Sequence, residues 1–308
     1  MNSSYDALRH GAAWLDLSSR GHIVARGRDR VRFLHNLTSN DVKKLQPGGG
    51  CYAFLLSPQG RIQADLNLFC MEDHLLLDTE PELREKIPAH LRRYIIADQV
   101  ELEDVTERTA AIGVEGPAAS AVLTALEAPV PTEDFAHLPW GAWTVANITE
   151  TGQPGVRFFG PADESASLIR HLEAVGARPA AAADARLVRL ENGKPRYGED
   201  ILDTSLPQET QQTQAISFTK GCYLGQEIVE RIRARGHVNR KLVRLFIDGS
   251  EPLKPGDKLI AENMEAGEVT SSAYSPESGK VVALAYVRVQ YAGAGTTLAA
   301  GNVTAQVA

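Results

Sequence analysis

Three cysteines occur in 308 residues, and one of them, Cys222, stands in "KGCYLGQEIVERIRARGHVNRK" at positions 220–241. Its surroundings could do thiol chemistry. Lys220 precedes it by two residues, and residues 226–235 read as a helix with Ile228, Val229 and Ile232 inward and Gly236 as its stop. A nearby cation and a helix N-terminus both favour the thiolate, which is the nucleophilic form. Gly221 and Gly225 let the chain turn tightly and let a ligand approach closely. A structural cysteine buried in a helix-entry turn has the same local features. Cys51 and Cys70 fall in strands, where packing accounts for them.

Two carboxylates come next. "RIQADLNLF" alternates, with Ile62, Ala64, Leu66 and Leu68 on one face and Gln63, Asp65, Asn67 and Phe69 on the other. The second face suits either solvent or a ligand cavity. In solvent Asp65 is an ordinary surface charge; in a closed site it is a candidate general base or electrostatic group. Glu191 lies in "RLVRLENGKPRYG", near the C-terminal end of a helix that stops at Gly193. On a helix surface it is unremarkable, but a negative charge at a helix C-terminus is mildly unfavourable, which hints at a function.

The elements that must position these groups are mixed. Residues 5–15 read as an amphipathic helix, "GHIVARG" as a strand, and 29–37 as a helix with Val31, Phe33, Leu34 and Leu37 as its apolar set. A meander follows: "CYAFLLS", the turn "PQG", "RIQADLNLF", the turn "MED" and "HLLLDTE". Residues 82–96 read as a helix kinked at Pro88, then come strands "QVELEDVT" and "AAIGVEG" and a helix from Pro117 to Leu126. "PVPTEDFAHLPWG" reads as a linker, "AWTVANIT" and "GVRFFG" as a hairpin, and 163–175 and 184–192 as helices. After Gly236 helical periodicity ends, and "KLVRLFI", "KLIAE", "AGEVTSSAY", "VVALAYV" and "TTLAA" read as a small β-barrel or sandwich. The pattern predicts an α+β fold, with residues 1–236 as one region of two interleaved subdomains and 237–308 as a C-terminal β domain.

Composition narrows the function classes. A net charge of −7 argues against non-specific binding to nucleic acid or an anionic membrane. No apolar run approaches the ~20 residues of a membrane helix, and the N-terminus lacks a secretory pattern, so a cytoplasmic protein is expected. The three scattered cysteines form no CxxC pair, and the eight histidines show no HxH or HxxxH spacing, so no metal site is expected. Neither a dinucleotide fingerprint nor a P-loop is present.

The octapeptide "KGCYLGQE" resembles the signature of the YgfZ-type folate-binding proteins, relatives of the glycine-cleavage T-protein, or aminomethyltransferase. The resemblance covers nearly the whole chain. "LDLSSRGHIVARGRDRVRFLHNLTSNDVKKLQPG" is similar to the shared N-terminal block, "SPQGRIQADLNLF" to the block with the T-protein's folate-pocket aspartate, "DARLVRLENGKPRYGEDI" to the helix whose glutamate contacts the pterin, and "AGEVTSSAYSP" to the C-terminal barrel. It implies three domains around a central opening that binds tetrahydrofolate. It also implies Asp65 and Glu191 as folate-site residues, with Phe69 added from its place on the strand face of Asp65, Asp65 and Cys222 as working groups, and Lys220, Gly221, Cys222, Tyr223, Gly225, Gln226 and Glu227 as the motif.

T-proteins lack the cysteine motif, carrying an aromatic-Ile-Gly segment there, and typically show two acids where this chain has Ala64 and Asp65. Asp78 falls where they have a folate-contacting asparagine. The implied function is an accessory role in assembly or repair of iron–sulfur clusters, and through them in tRNA modification, with iron–sulfur or cluster-assembly proteins as partners. The alternative is a tetrahydrofolate-dependent aminomethyltransferase or demethylase. A scaffold that has lost its chemistry is the third reading.

Overall fold

The structure is a computed structural model and describes residues 3–236 and 238–308. The chain divides into two compact units. The first comprises residues 1–56, 63–185 and 214–224, and the second 57–62, 186–213 and 225–308. The second unit thus takes in more than the expected C-terminal stretch, and the expected boundary touches His237, which lies outside the described residues.

The strands of the first unit are β1 (Ala13–Asp16), β2 (Gly21–Arg26), β3 (Gly50–Leu56), β4 (Ile62–Cys70), β5 (Leu75–Thr79), β6 (Glu101–Asp104), β7 (Thr109–Glu115), β8 (His137–Trp140), β9 (Trp143–Ala146), β10 (Gly155–Pro161) and β11 (Arg178–Pro179). They form two sheets, a five-stranded one in the order β3-β4-β5-β2-β6 and a six-stranded one in the order β11-β1-β7-β10-β9-β8. Helices α1 (Ser4–His10), α2 (Arg30–Leu37), α3 (Lys86–Arg92), α4 (Ala119–Ala125) and α5 (Ser165–Ala174) complete the unit.

Strand β10 shows how sequence alternation builds the layers. Val156 and Phe158 pack with Val122 and Leu123 of α4 and Leu168 and Leu172 of α5. Phe159, one residue on, belongs to a second cluster with Val24, Phe69 and Leu76 of the five-stranded sheet. Arg157 shares the parity of Phe159, so a guanidinium lies buried on the side of the other sheet, at 2% exposure. It pairs with Asp78 of β5 at 2.7 Å.

Several expectations are corrected. The first helix stops at His10, because the chain from Ala13 pairs with β7 as a strand. Residues 82–96 form a 3-10 turn at Pro81–Leu83 and the short helix α3. Pro88 lies in the first turn of α3, where its missing N–H leaves no bond unmade and no kink is needed. The stretch read as a linker contains β8, which pairs with β9.

The second unit holds α7 (Gln226–Arg235) and, from Arg186 onward, α6 (Ala182–Glu191). Its strands β12 (Arg240–Ile247), β13 (Lys258–Ala261), β14 (Met264–Ser275), β15 (Lys280–Arg288), β16 (Thr297–Ala300) and β17 (Val303–Val307) close into a barrel in the order β12-β15-β14-β13-β16-β17. Strand β15 is apolar on both faces for a reason. Val281, Ala283, Ala285 and Val287 fill the barrel. Val282, Leu284 and Tyr286 pack outside it with Leu187 and Leu190 of α6. The fold is the mixed α and β architecture that the sequence predicts, with a closed C-terminal barrel.

Removing one member of a buried ion pair strands the other. Arg157→Ala should therefore lower the unfolding free energy by about 3–5 kcal/mol, read from urea or thermal denaturation. A loss below about 1 kcal/mol would mean that Arg157 does not stabilise Asp78.

Candidate functional site

Asp65 is on β4 and is 8% exposed, so it is no surface carboxylate. The Tyr52 hydroxyl, from β3, donates to its Oδ2 at 2.7 Å. The Thr79 hydroxyl donates to its backbone carbonyl at 3.0 Å. Burial first, and the charge of Glu80 second, push the Asp65 carboxyl up to about 7, while Tyr52 and Arg20 pull the other way. Tyr52 in turn is raised well above the ordinary tyrosine range, by burial and then by Asp65.

Beside this pair lies a buried charge cluster. Arg20 grips Asp78 with two bonds, Nε–Oδ1 at 2.9 Å and Nη2–Oδ2 at 3.1 Å. It also reaches Glu80 at 2.5 Å and Glu150 at 3.4 Å. Arg157 bonds Asp78 at 2.7 Å and Glu150 at 3.1 Å, and the Asn67 amide donates to Asp78 at 2.8 Å. Burial opposes the charge on Asp78, but Arg157 and Arg20 outweigh it and hold the carboxyl well below its usual range. Burial likewise opposes the Arg20 charge, and Asp78, Glu80 and Glu150 more than restore it. Asp78 is thus the counter-ion of two arginines.

Phe69, expected in the folate pocket, has no exposed surface. Its ring meets His137 edge-on at 5.6 Å and Phe159 at 5.4 Å. The structure therefore places it in the core between the two sheets.

The motif loop is the second feature of the first unit. Cys222 is exposed, Cys51 half-buried and Cys70 buried. The loop around Cys222 is fastened on both sides. Ser39 Oγ donates to Ala215 O at 2.5 Å, Ser217 N donates to Ser39 O at 2.9 Å, and Leu224 N donates to Asn36 O at 3.0 Å. Lys220, 8% exposed, donates through Nζ to the carbonyls of His35 at 2.5 Å, Thr38 at 2.7 Å and Asn40 at 2.7 Å.

Those carbonyls lie at and just beyond the C-terminal end of α2, where a cation is favoured. Its ammonium also stands 4.9 Å from the ring centre of the buried Tyr223. All three of its N–H donors are occupied by α2 and the chain after it, and its charge also acts on the thiol of Cys51. Burial lowers the Lys220 pKa to about 8, and burial raises that of Cys51 to about 12. Gly221 is exposed, and a side chain there would meet nothing within 4 Å.

The remaining motif residues belong to the second unit. Gly225 adopts φ +84° and caps α7, a conformation that favours glycine. Gln226 opens the helix, and Glu227 pairs with Arg231 at 2.6 Å on its exposed surface. Glu191 is also in this unit and is 9% exposed. Ser275 Oγ donates to its Oε1 at 2.6 Å, and Arg244 holds its backbone carbonyl at 2.5 Å. A buried, fixed carboxylate replaces the surface glutamate that the helix position alone allows.

Sequence reasoning missed Tyr52, Arg20, Glu80 and Arg157. One signal was present: Arg157 is the single charge in the otherwise apolar strand "GVRFFG".

The fold and these carboxylates define a class. The profile of the GCVT N-terminal domain matches residues 1–220, and that of the glycine cleavage T-protein C-terminal barrel domain matches residues 240–307. The chain belongs to the glycine cleavage T-protein family. It is 30% identical over 298 residues to an aminomethyltransferase of Rubrobacter xylanophilus, covering 93% of this chain and 79% of that protein. It is 30% identical over 308 residues to an aminomethyltransferase of Geobacillus kaustophilus, covering 96% and 84%. The crystal structure of the glycine cleavage system aminomethyltransferase T from Bartonella henselae superposes with a TM-score of 0.89 at 23% identity, covering 99% of this chain and 87% of that one, and so has the same fold. Among the described residues no helix is long and apolar enough to cross a membrane.

Exposure and burial together order the thiols. At neutral pH a maleimide should label Cys222 far faster than Cys51 or Cys70, whose thiols burial pushes upward. Peptide mass spectrometry after a brief pulse reads this directly. Equal labelling of Cys51 and Cys222 would contradict the ordering.

Proposed function

We propose that this protein binds tetrahydrofolate or a closely related reduced folate and acts as a folate-dependent one-carbon transferase of the aminomethyltransferase or demethylase type. The observation that carries this reading is the buried Asp65 carboxyl, poised near neutrality beside Tyr52. A reduced folate carries one-carbon units on amine nitrogens of and beside its pterin ring. Those nitrogens gain or lose protons as the unit arrives or leaves, so a carboxyl titrating near pH 7 suits the exchange. With Tyr52 on Oδ2, Asp65 works through Oδ1. Glu191 is proposed separately as a pterin contact, the role its resemblance to the T-protein glutamate implies, because a pterin's paired N–H groups fit a carboxylate acceptor. The relatives named aminomethyltransferase support the reaction class.

Calorimetry with tetrahydrofolate should give one-to-one binding. Losing a charged hydrogen bond costs about 1.5–3 kcal/mol, so Glu191→Ala should weaken binding by about 10–150-fold. Equal affinity for both proteins would remove Glu191 from the site. Asp65→Asn should retain binding better than turnover. No methylene-tetrahydrofolate formed from an aminomethyl donor by the wild type would exclude the aminomethyl reaction.

A second reading keeps the folate site and adds an accessory role in iron–sulfur cluster assembly or repair, and through it in tRNA modification. What favours it is the exposed thiol of Cys222 on a firmly held loop, in the motif that resembles the YgfZ-type proteins. On this reading Cys222→Ser keeps folate affinity and lowers the activity of iron–sulfur enzymes in the host, most under oxidative stress. Host enzymes of unchanged activity would exclude it.

A further inference from the structure

Strands β4 and β5 pair antiparallel, with Asn67 opposite Asp78, Leu68 opposite Leu77 and Phe69 opposite Leu76. Carried two residues further, this register sets Asp65 opposite Glu80, just past the end of β5. The Thr79 hydroxyl bond to the Asp65 carbonyl ties the two chains at that point. Side chains two apart on a strand share a face, so Asp65 and Glu80 lie on the same face as Asn67 and Asp78, whose side chains bond at 2.8 Å. Two acids facing each other across a ladder repel, and both are 8% exposed.

The surrounding charges decide which acid yields. Arg20, from the β1–β2 connection, bonds Glu80, Asp78 and Glu150, while Arg157 of β10 bonds Asp78 and Glu150. Two guanidiniums, with the buried His22 imidazole 3.5 Å from Asp78, thus face three carboxylates before Asp65 is counted. Ionised, Asp65 would add a fourth. Its own hydrogen-bond partner, Tyr52, brings no positive charge. The repulsion therefore falls on Asp65, while Glu80 is paired with Arg20.

We infer that Glu80 is a positioning residue for Asp65: pinned by Arg20 and set across the strand pair, its negative charge keeps the Asp65 carboxyl protonated in the folded protein, so that Asp65 meets its ligand as a proton donor. The inference rests on the reading of Asp65 as the group presented to a reduced folate and names the residue that sets its protonation. The upward shift of Asp65 to about 7, with Glu80 as its second cause after burial, agrees with this geometry. The linkage sign follows. A folded-state value raised above the unfolded one near 3.9 gives stability that is full below about 4 and is lost as pH rises through about 7. Neutralising Glu80 lowers the folded-state value and closes this window from its upper end.

The test is a pH titration of carboxyl carbons by 13C NMR on the full-length protein without folate. In Glu80→Gln, whose amide oxygen can still accept from Arg20, the Asp65 midpoint should fall by about one unit or more. Glu80→Asp should keep it high, and Thr79→Val, which removes only the hydroxyl bond, should leave it in place. An unmoved midpoint in Glu80→Gln would overturn the proposal.

The wild type also decides, should that variant not fold. The Glu80 carbon should sense the Asp65 step as one coupled titration, and a flat Glu80 signal through that step would refute the pairing. Because the titration contains no folate, its outcome is separate from that of the binding reading. Calorimetry of the same samples with tetrahydrofolate reports on the latter alone.

Discussion

The first unit depends on one constraint: two buried arginines paired with the buried acids Asp78 and Glu80 and the half-buried Glu150, with Asp65 as a fourth acid. Asp78 has no exposed surface, and Arg20 and Arg157 both reach it. Buried ions are costly unless each finds partners of good geometry. Here Asp78 finds Arg20 on two atoms, Arg157 and Asn67, so its charge is fixed. The cluster joins the connection before β2, strand β5, strand β10 and the Glu150 connection. It links the two sheets, as the apolar contact of Phe69 with Phe159 also does. Burial first, and the charge of Glu80 second, are what separate Asp65 from an ordinary carboxylate.

The elements legible in the sequence were those whose periodicity is also their burial. Residues 29–37 and 226–235, the meander and the barrel strands fall where the pattern puts them, because one face of each is core. The errors arise where tertiary pairing overrides local propensity. Residues 13–16 have helical company in sequence but pair with β7, and 137–140 look like a proline-rich linker but pair with β9. Pro88 reads as a kink in the sequence because a single sequence does not show where a helix begins.

The site was legible as residue types and not as partnerships. Asp65 and Glu191 were singled out, yet their burial and their partners Tyr52 and Ser275 come from positions far along the chain. Lys220 shows the same limit. Two residues from a cysteine, it reads as an electrostatic partner. In the fold its ammonium is bonded to three carbonyls at and beyond the end of α2, partners that the sequence does not reveal. Its pKa is lowered to about 8 by burial, and the ammonium form supplies the three hydrogen bonds it makes.

These contacts also connect the two chemical features of the first unit. Lys220 donates to the Asn40 carbonyl at 2.7 Å. The Asn40 amide donates at 2.8 Å to the carbonyl of Gln214, at the start of the loop segment, and at 2.8 Å to the carbonyl of Tyr52. Tyr52 donates to Asp65. The loop that displays Cys222 and the strand that presents the Asp65 partner are thus held by the same asparagine. Four short polar contacts fix the thiol loop and the carboxyl in one register within the unit. A rigid support of this kind suits a site whose groups must be in place before a ligand arrives, since each side chain then loses little further freedom on binding. Both functional readings draw on it. Folate chemistry needs Tyr52 and Asp65 held in one geometry, and thiol chemistry needs Cys222 displayed on a backbone that does not collapse over it.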